Sequence, residues 1–504
     1  MFIAVALAGQ GASAASPMSA IDWLSETVAE DPQTTPARPE AADTGAGDVT
    51  VRPLGTLSPD AAGFAPSSLT GLPANLWRGG ETRQITALIA EATTDSLPAI
   101  TRLRHEVLMA EAAPPAGDGD ALLLARIDAL IATGALDAAR AVLERARPDS
   151  PALFRRRFDI ALLTGTEAAA CDRLRENGGL APDYPARIFC LALNGDRPAA
   201  ALTLNAANAL HLIGPDEYTL MARFLTPEQD KAGPAPIPAL SGTPTPLLFR
   251  LHEALGEGFA TQTLPRAFAH ADLRPVAGWK ARLEAAERLA RYGAISPERL
   301  LAVYSERAPA ASGGVWERVA ALQRFARASE QGDSGRAAMQ LPRLRALMRG
   351  AGLEHILAAL YAPRLADFAD AAPPAARATA FELALLSAEH AHLAPAFGAM
   401  TRPRDRFLQA LATGRPLSIS PPATPDLQAV RDGFDGDSPA LEYRLLLRDD
   451  RAGEAILTAA RDFTAGLDGD LALISRALRL FRAVGLEDTA RRAALQFLIS
   501  GAQG

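Results

Sequence analysis

At 504 residues the chain is long enough for about three domains or one long repeat array, so size does not limit its core. Hydrophobic residues make up 48% and aromatics only 6%, and the apolar share is mostly alanine and leucine, which favour helices and exclude an all-β fold. Only Lys231 and Lys280 are lysine, leaving 49 arginines; a net charge of -7 without a basic cluster excludes a nucleic-acid partner, and no internal apolar run reaches the roughly 18 residues of a transmembrane span.

Residues 1–15 read as a signal peptide. Met1 to Ala8 is apolar, and Ala12-Ser13-Ala14 fits a small-residue cleavage site, but no Lys or Arg precedes Arg38. The missing basic region leaves two alternatives open, a start codon assigned too far downstream or an ordinary buried helix. Residues 16–72 comprise a short amphipathic stretch and then a linker, in which prolines from Pro32 to Pro66 are spaced so that no helix persists. Ile21, Leu24 and Val28 share one helical stripe with Trp23 beside it, a recognition helix for a partner or a segment that docks on its own fold. Helical periodicity then occupies 73–230, a Pro-rich linker 231–246 interrupts it, a second helical array covers 247–415, and a C-terminal helical block covers 416–504.

Aligned turn glycines reveal internal repetition. Gly134 precedes Ala139, Ala146 and Pro151 at offsets of 5, 12 and 17; Gly165 precedes Ala170 and Pro182 at 5 and 17; Gly195 precedes Ala200 and Ala207 at 5 and 12. Gly332 with Ala337 and Gly485 with Ala490 echo the first interval. Glycine permits backbone reversal, small residues let helices approach closely, and proline ends the second helix. This pattern resembles the tetratricopeptide repeat, although the glycine steps of 31 and 30 are shorter than that repeat's roughly 34 residues. The expected fold is all-α, a TPR-like α-solenoid of antiparallel helix pairs with a disordered Pro-rich N-terminal linker. In such a pair, with a turn near Gly179 to Ala181, Cys171 and Cys190 lie level on facing helices and within reach of a disulfide; two buried free thiols are the other reading.

Catalytic and metal motifs fail on their spacing. Gly332-Asp333-Ser334-Gly335 imitates a protease nucleophile segment but falls at a helix-to-helix turn. His252-Glu253 begins like a zincin helix, yet Gly256 stands where the second histidine is required, and His390 and His392 point apart on a helix. Asp432, Asp435 and Asp437 depart from the EF-hand spacing, neither lysine follows a phosphate-cradling glycine loop, and no cofactor is expected. One segment concentrates aromatics and charge at a helix-loop-helix junction: Tyr304, Arg307, Ser312 and Trp316 around Gly313-Gly314. It reads as an anion or peptide-carboxylate site, or as a helix capped by Ser312 with Trp316 packed inward. The functional expectation is a non-enzymatic periplasmic or secreted scaffold that binds a protein or peptide in a helical-repeat groove; the alternative is a cell-wall-associated enzyme or accessory factor with the helical superstructure of the lytic transglycosylases.

Overall fold

A computed structural model describes residues 59–91, 95–117, 119–146, 150–226, 242–368 and 372–501. The expected signal segment, the amphipathic stretch with Ile21, Trp23 and Leu24, the linker up to residue 58 and most of 231–246 lie outside the described residues. Among the described residues the regular structure is all-helical, with no strand. None of these helices is long and apolar enough to cross a membrane.

Helices of eight or more residues are numbered in chain order. After α1 (Thr82–Glu91) and α2 (Pro98–Met109) come three hairpins: α3 (Ala121–Ala132) with α4 (Leu136–Ala146), α5 (Pro151–Thr164) with α6 (Glu167–Glu176), and α7 (Tyr184–Leu193) with α8 (Arg197–Ala209). Then follow α9 (Pro215–Leu225), α10 (Pro246–Ala254), α11 (Trp279–Ala290), α12 (Pro297–Ser305), α13 (Gly314–Glu330), α14 (Ser334–Gly350), α15 (Glu354–Leu365), α16 (Pro374–Leu386) and α17 (Pro403–Ala412). The chain closes with α18 (Pro425–Phe434), α19 (Leu441–Arg448), α20 (Ala452–Gly466), α21 (Leu471–Ala483) and α22 (Glu487–Ser500). Proline acts as punctuation: it is the first residue of α2, α5, α9, α10, α12, α16, α17 and α18, where its missing N–H costs nothing. Ser150, Asp183, Thr245, Ser296 and Asp333 accept backbone N–H bonds at the helix starts that follow them.

The turn glycines do what the repeat pattern requires. Gly134, Gly165, Gly195, Gly332 and Gly485 all have φ between 72° and 88°, and the next helix begins two residues later. In each case the N–H after the glycine donates to the carbonyl five residues back, as in Ala135 to Leu130 (2.8 Å) and Leu486 to Phe481 (2.8 Å). The alanine at +5 is buried every time: Ala139, Ala170, Ala200, Ala337 and Ala490. His211 and Asp450 adopt the same left-handed conformation, with the same reverse bond from Leu212 to Ala207 and from Arg451 to Leu446, so the turn also occurs without glycine.

Two hydrophobic cores result. The smaller lies between α5 and α10 and is built on a line of phenylalanines: Phe154, Phe158, Phe189 and Phe224 follow one another with ring centroids 5.5 to 6.3 Å apart. Cys171 and Cys190 form a disulfide inside it, with Cα atoms 4.9 Å apart. The larger core runs from Leu72 to Ile499. Helix α5 serves both, with Leu153, Ile160 and Leu163 in the large core and Phe154, Phe158 and Leu162 in the small one.

The array turns back on itself. Helices α20 and α22 pack on α1 and α2. The Gly453 N–H donates to the Leu76 carbonyl (2.8 Å) and the Gly79 N–H to the Asp450 carbonyl (3.1 Å). A Cβ on Gly453 would come within 2.5 Å of the Trp77 ring and one on Gly79 within 1.9 Å of the Asp449 carbonyl, so only glycine admits this contact. Gln496 accepts from the Ala99 N–H (2.7 Å) at the start of α2, and the buried Arg104 donates to Ala460 and Thr464 of α20. Arg126 is wholly buried, and its guanidinium donates to the carbonyls of Asp60, Ala62, Leu108 and Ala110. These bonds pin the residues before α1 to α3, and burial lowers the Arg126 pKa to about 10.

Candidate functional site: a groove at the closure of the array

Where the array closes, helix ends from distant parts of the chain leave a groove of about 600 Å³. One face of α2 forms its floor, with Pro98, Thr101, Arg102, His105 and Met109 at helical spacing. The walls are the α3–α4 turn (Ala135 to Ala138), the α11–α12 turn (Tyr292 to Pro297), α15 at His355, Ile356 and Ala359, the end of α16 (Leu386 to Ala388), and α22 at Arg492 and Gln496. Six alanines line it: Ala99, Ala135, Ala138, Ala294, Ala359 and Ala388. Small side chains where helices converge leave space that larger ones would fill, so the cavity follows from the alanine-rich composition.

Several of its polar groups are already engaged. His105 lies 3.1 Å from the Thr133 hydroxyl, which donates to the Leu130 carbonyl (3.0 Å). That leaves the imidazole as the donor in the first bond. Burial, with Arg266 and Arg104 nearby, pushes the His105 pKa down to about 4. His355 bonds to the Ala290 backbone at the end of α11, and burial likewise lowers its pKa to about 4. Both imidazoles are therefore neutral hydrogen-bonding groups at pH 7. At the rim Arg102 pairs with Glu106 (2.8 Å) and Arg492 with Asp488. Arg266 buttresses the wall by stacking on Tyr292, 3.4 Å from its centroid, while pairing with Asp95 (2.7 Å). The groove thus offers apolar contact and a few fixed hydrogen-bonding groups, the pattern of a ligand site.

The residues singled out in the sequence lie elsewhere. Tyr304 is fully buried, and its hydroxyl donates to Glu287, which also takes two bonds from Arg318. Desolvation and the Glu287 charge raise the phenol pKa well above its ordinary value. Arg307 and Ser312 are exposed and Trp316 is half-buried, its ring 5.2 Å from that of Trp279. Ser312 does not cap the following helix: Gly313 occupies the N-cap of α13, with no side-chain bond. Tyr304 and Arg307 do border one shallow cavity of about 470 Å³ with Gln323, whose amide donates to both their carbonyls. Of the pair weighed for metal binding, His390 is buried and His392 exposed, as two residues two apart on a helix should be. Among the described residues no group of three or more His, Cys, Asp or Glu side chains is placed to hold a metal ion.

The groove had no local signal, because its lining is drawn from six elements between Pro98 and Gln496. The burial of Tyr304 did have one: Leu300, Val303 and Tyr304 recur at the spacing of a single buried helix face. No protein-family model, curated protein or solved structure matches the chain.

Proposed function

We propose that this protein is a non-enzymatic scaffold that binds a peptide segment of a partner protein in the groove where the array closes. The observation that carries the reading is the cavity itself, about 600 Å³, walled mostly by small and apolar side chains with neutral imidazoles at fixed positions. An apolar peptide side chain or short helix gains area-proportional burial there while its polar atoms meet the rim. Kinship with tetratricopeptide repeats is part of this proposal, supported by left-handed turn glycines followed at +5 by buried alanines. So is an exported location, supported by the disulfide, which persists in oxidising compartments.

The test is to pan a displayed peptide library against the full chain at pH 7.5 and to titrate the enriched peptide. Replacing Ala359 by Trp fills the groove and should weaken binding at least about tenfold, whereas Leu202→Ser, on the exposed face of α8, should not change it. The reading fails if no peptide is enriched or if filling the groove leaves the affinity unchanged.

A further inference from the structure

Four histidines stand around the groove, His105, His270 and His390 buried and His355 half-buried, and each bonds to the turn or helix end that forms a wall. His270 donates to the Gly134 carbonyl (2.7 Å), one residue before the α3–α4 wall, and His105 bonds to Thr133 of the same turn. His355 bonds at Ala290, the last residue of α11, where the Tyr292 to Pro297 wall begins. His390, wholly buried, directs Nδ1 at the Ser387 carbonyl (3.3 Å), and Ser387 and Ala388 are themselves wall residues. A neutral imidazole donates once and keeps one bare nitrogen. The bare Nε2 of His390 is enclosed, and in the buried rings of His105 and His270 a second proton would be a largely buried charge.

At His105, His270 and His355 the nearby charges do not neutralise that cost, whereas at His390 a carboxylate faces the ring. Arg104 and Arg266 stand near His105, both repelling a proton. Asp137 and Arg299 oppose each other at His270. Glu354, beside His355, is already held by Arg345 and Arg349. At His390 the free Nε2 lies 3.7 Å from Asp488, whose other oxygen holds the groove residue Arg492, with Arg491 nearby. On α16, packed against this segment, Arg377 is committed to the Phe397 carbonyl and Glu382 to Arg345 and Arg404.

We infer that the groove is acid-gated: protonation of these histidines on mild acidification releases its three turn walls and, at His390, draws Asp488 away from Arg492. The inference rests on the groove being the binding site, and it names the regulation of that site. In the opened state an imidazole titrates near 6.5, whereas His105 and His355 in the closed state titrate at about 4. Each therefore raises the population of the open wall by about 30-fold at pH 5.0 relative to pH 7.5.

Hydrogen exchange of the full chain at the two pH values, corrected for the intrinsic pH dependence, tests this without any ligand. The wall segments 133–138, 290–297 and 387–392 should open at least about tenfold more at pH 5.0. The helix Leu471–Ala483, remote from these histidines in sequence, should not follow. The triple substitution His105→Gln, His270→Gln and His355→Gln keeps a side-chain donor at each position but cannot take the proton, and should remove the rise in the first two segments. The inference is overturned if the walls open no more than that control helix in the wild-type chain, or if the Gln variant opens equally. Exchange that rises as expected, with peptide affinity indifferent to Ala359→Trp, would sustain the gating and reject the binding site.

Discussion

The helices between α5 and α10 and the remainder of the array solve the same packing problem in different ways. The arm stacks consecutive hairpins, its contacts are of shorter range with α10 returning onto α5, its core is a line of phenylalanines, and a disulfide ties α6 to α7. The body joins its first helices to its last: the bonds of Gly453 to Leu76 and of Gln496 to Ala99 span more than 370 residues of sequence. A region of local contacts can lose one unit and keep the rest, whereas a closed array depends on its closing contacts. The three described tryptophans, Trp77, Trp279 and Trp316, all belong to the body, so their fluorescence reports it separately from the arm.

The largest effect should come from breaking the closure. Trp77 is 1% exposed and packs against Gly453, so Trp77→Ala should cost about 3–5 kcal/mol. Denaturant unfolding followed by the fluorescence of the remaining tryptophans should show an earlier body transition. Hydrogen exchange in α6 to α9 should stay unchanged, and equal loosening of both regions would erase the distinction drawn between them. On the arm side, replacing Cys171 and Cys190 together by Ala reopens a loop with a sequence separation of 19 and should cost about 3 kcal/mol. Here the loss should appear as faster exchange in α6 and α7, with the tryptophan signal unmoved.

Acid should separate the two regions by sign. His105 and His355 titrate at about 4 in the fold against 6.5 when free, because burial disfavours the imidazolium. Between those values the unfolded chain binds more protons, so their stabilisation is complete above pH 6.5 and is lost as pH falls toward 4. At pH 5 this amounts to about 2 kcal/mol for each histidine, all of it in the body. Two carboxyls of the arm run the other way, against His252 on α10, which burial lowers like the body histidines. Burial raises Asp159 on α5 to about 7 and also raises Glu217 on α9. A carboxyl that holds its proton more tightly in the fold stabilises it at low pH and loses that contribution as pH rises through its folded pKa. Thermal unfolding at pH 7.5 and 5.0 should therefore lower the fluorescence midpoint, while exchange in α7 and α9 slows.

The same division governed what the sequence disclosed. In the arm the determinants are short-range: Gly165 and Gly195 reverse the chain, Ala170 and Ala200 fill the first turns of the next helices, and the level placement of Cys171 and Cys190 follows from the turn near Gly179 that joins α6 to α7. Where His211 and Asp450 supply the left-handed turn residue, a glycine alignment passes over them, and the period is lost. The closure left no pattern at all, because Gly79 and Gly453 are required by each other's neighbours and not by any local turn. The groove was hidden for the same reason, since alanine carries no chemical signal and His105 and His355 acquire their role only when α2 and α15 meet at one cavity. Tyr304 and Trp316 drew attention as concentrated aromatics, but aromatic side chains in a helical array more often fill it than face its partner.

The smallest expected effect is also the sharpest check on where the arm's stability resides. Helix α8 carries Leu202 and, just past its end, Leu210, with 73% and 66% of their surface exposed, while Leu204 and Ala207 on the opposite side are buried. Composition alone would place all of these in a core. An exposed leucine already surrounded by water has little burial to lose, so Leu202→Ser should change stability by less than about 0.5 kcal/mol. Leu204→Ala, one turn face away, should cost about 2–5 kcal/mol and be read in the exchange of α7 and α8. If the two substitutions instead cost the same, the outer face of α8 is covered in solution, and the arm has a packing partner beyond its own phenylalanine line.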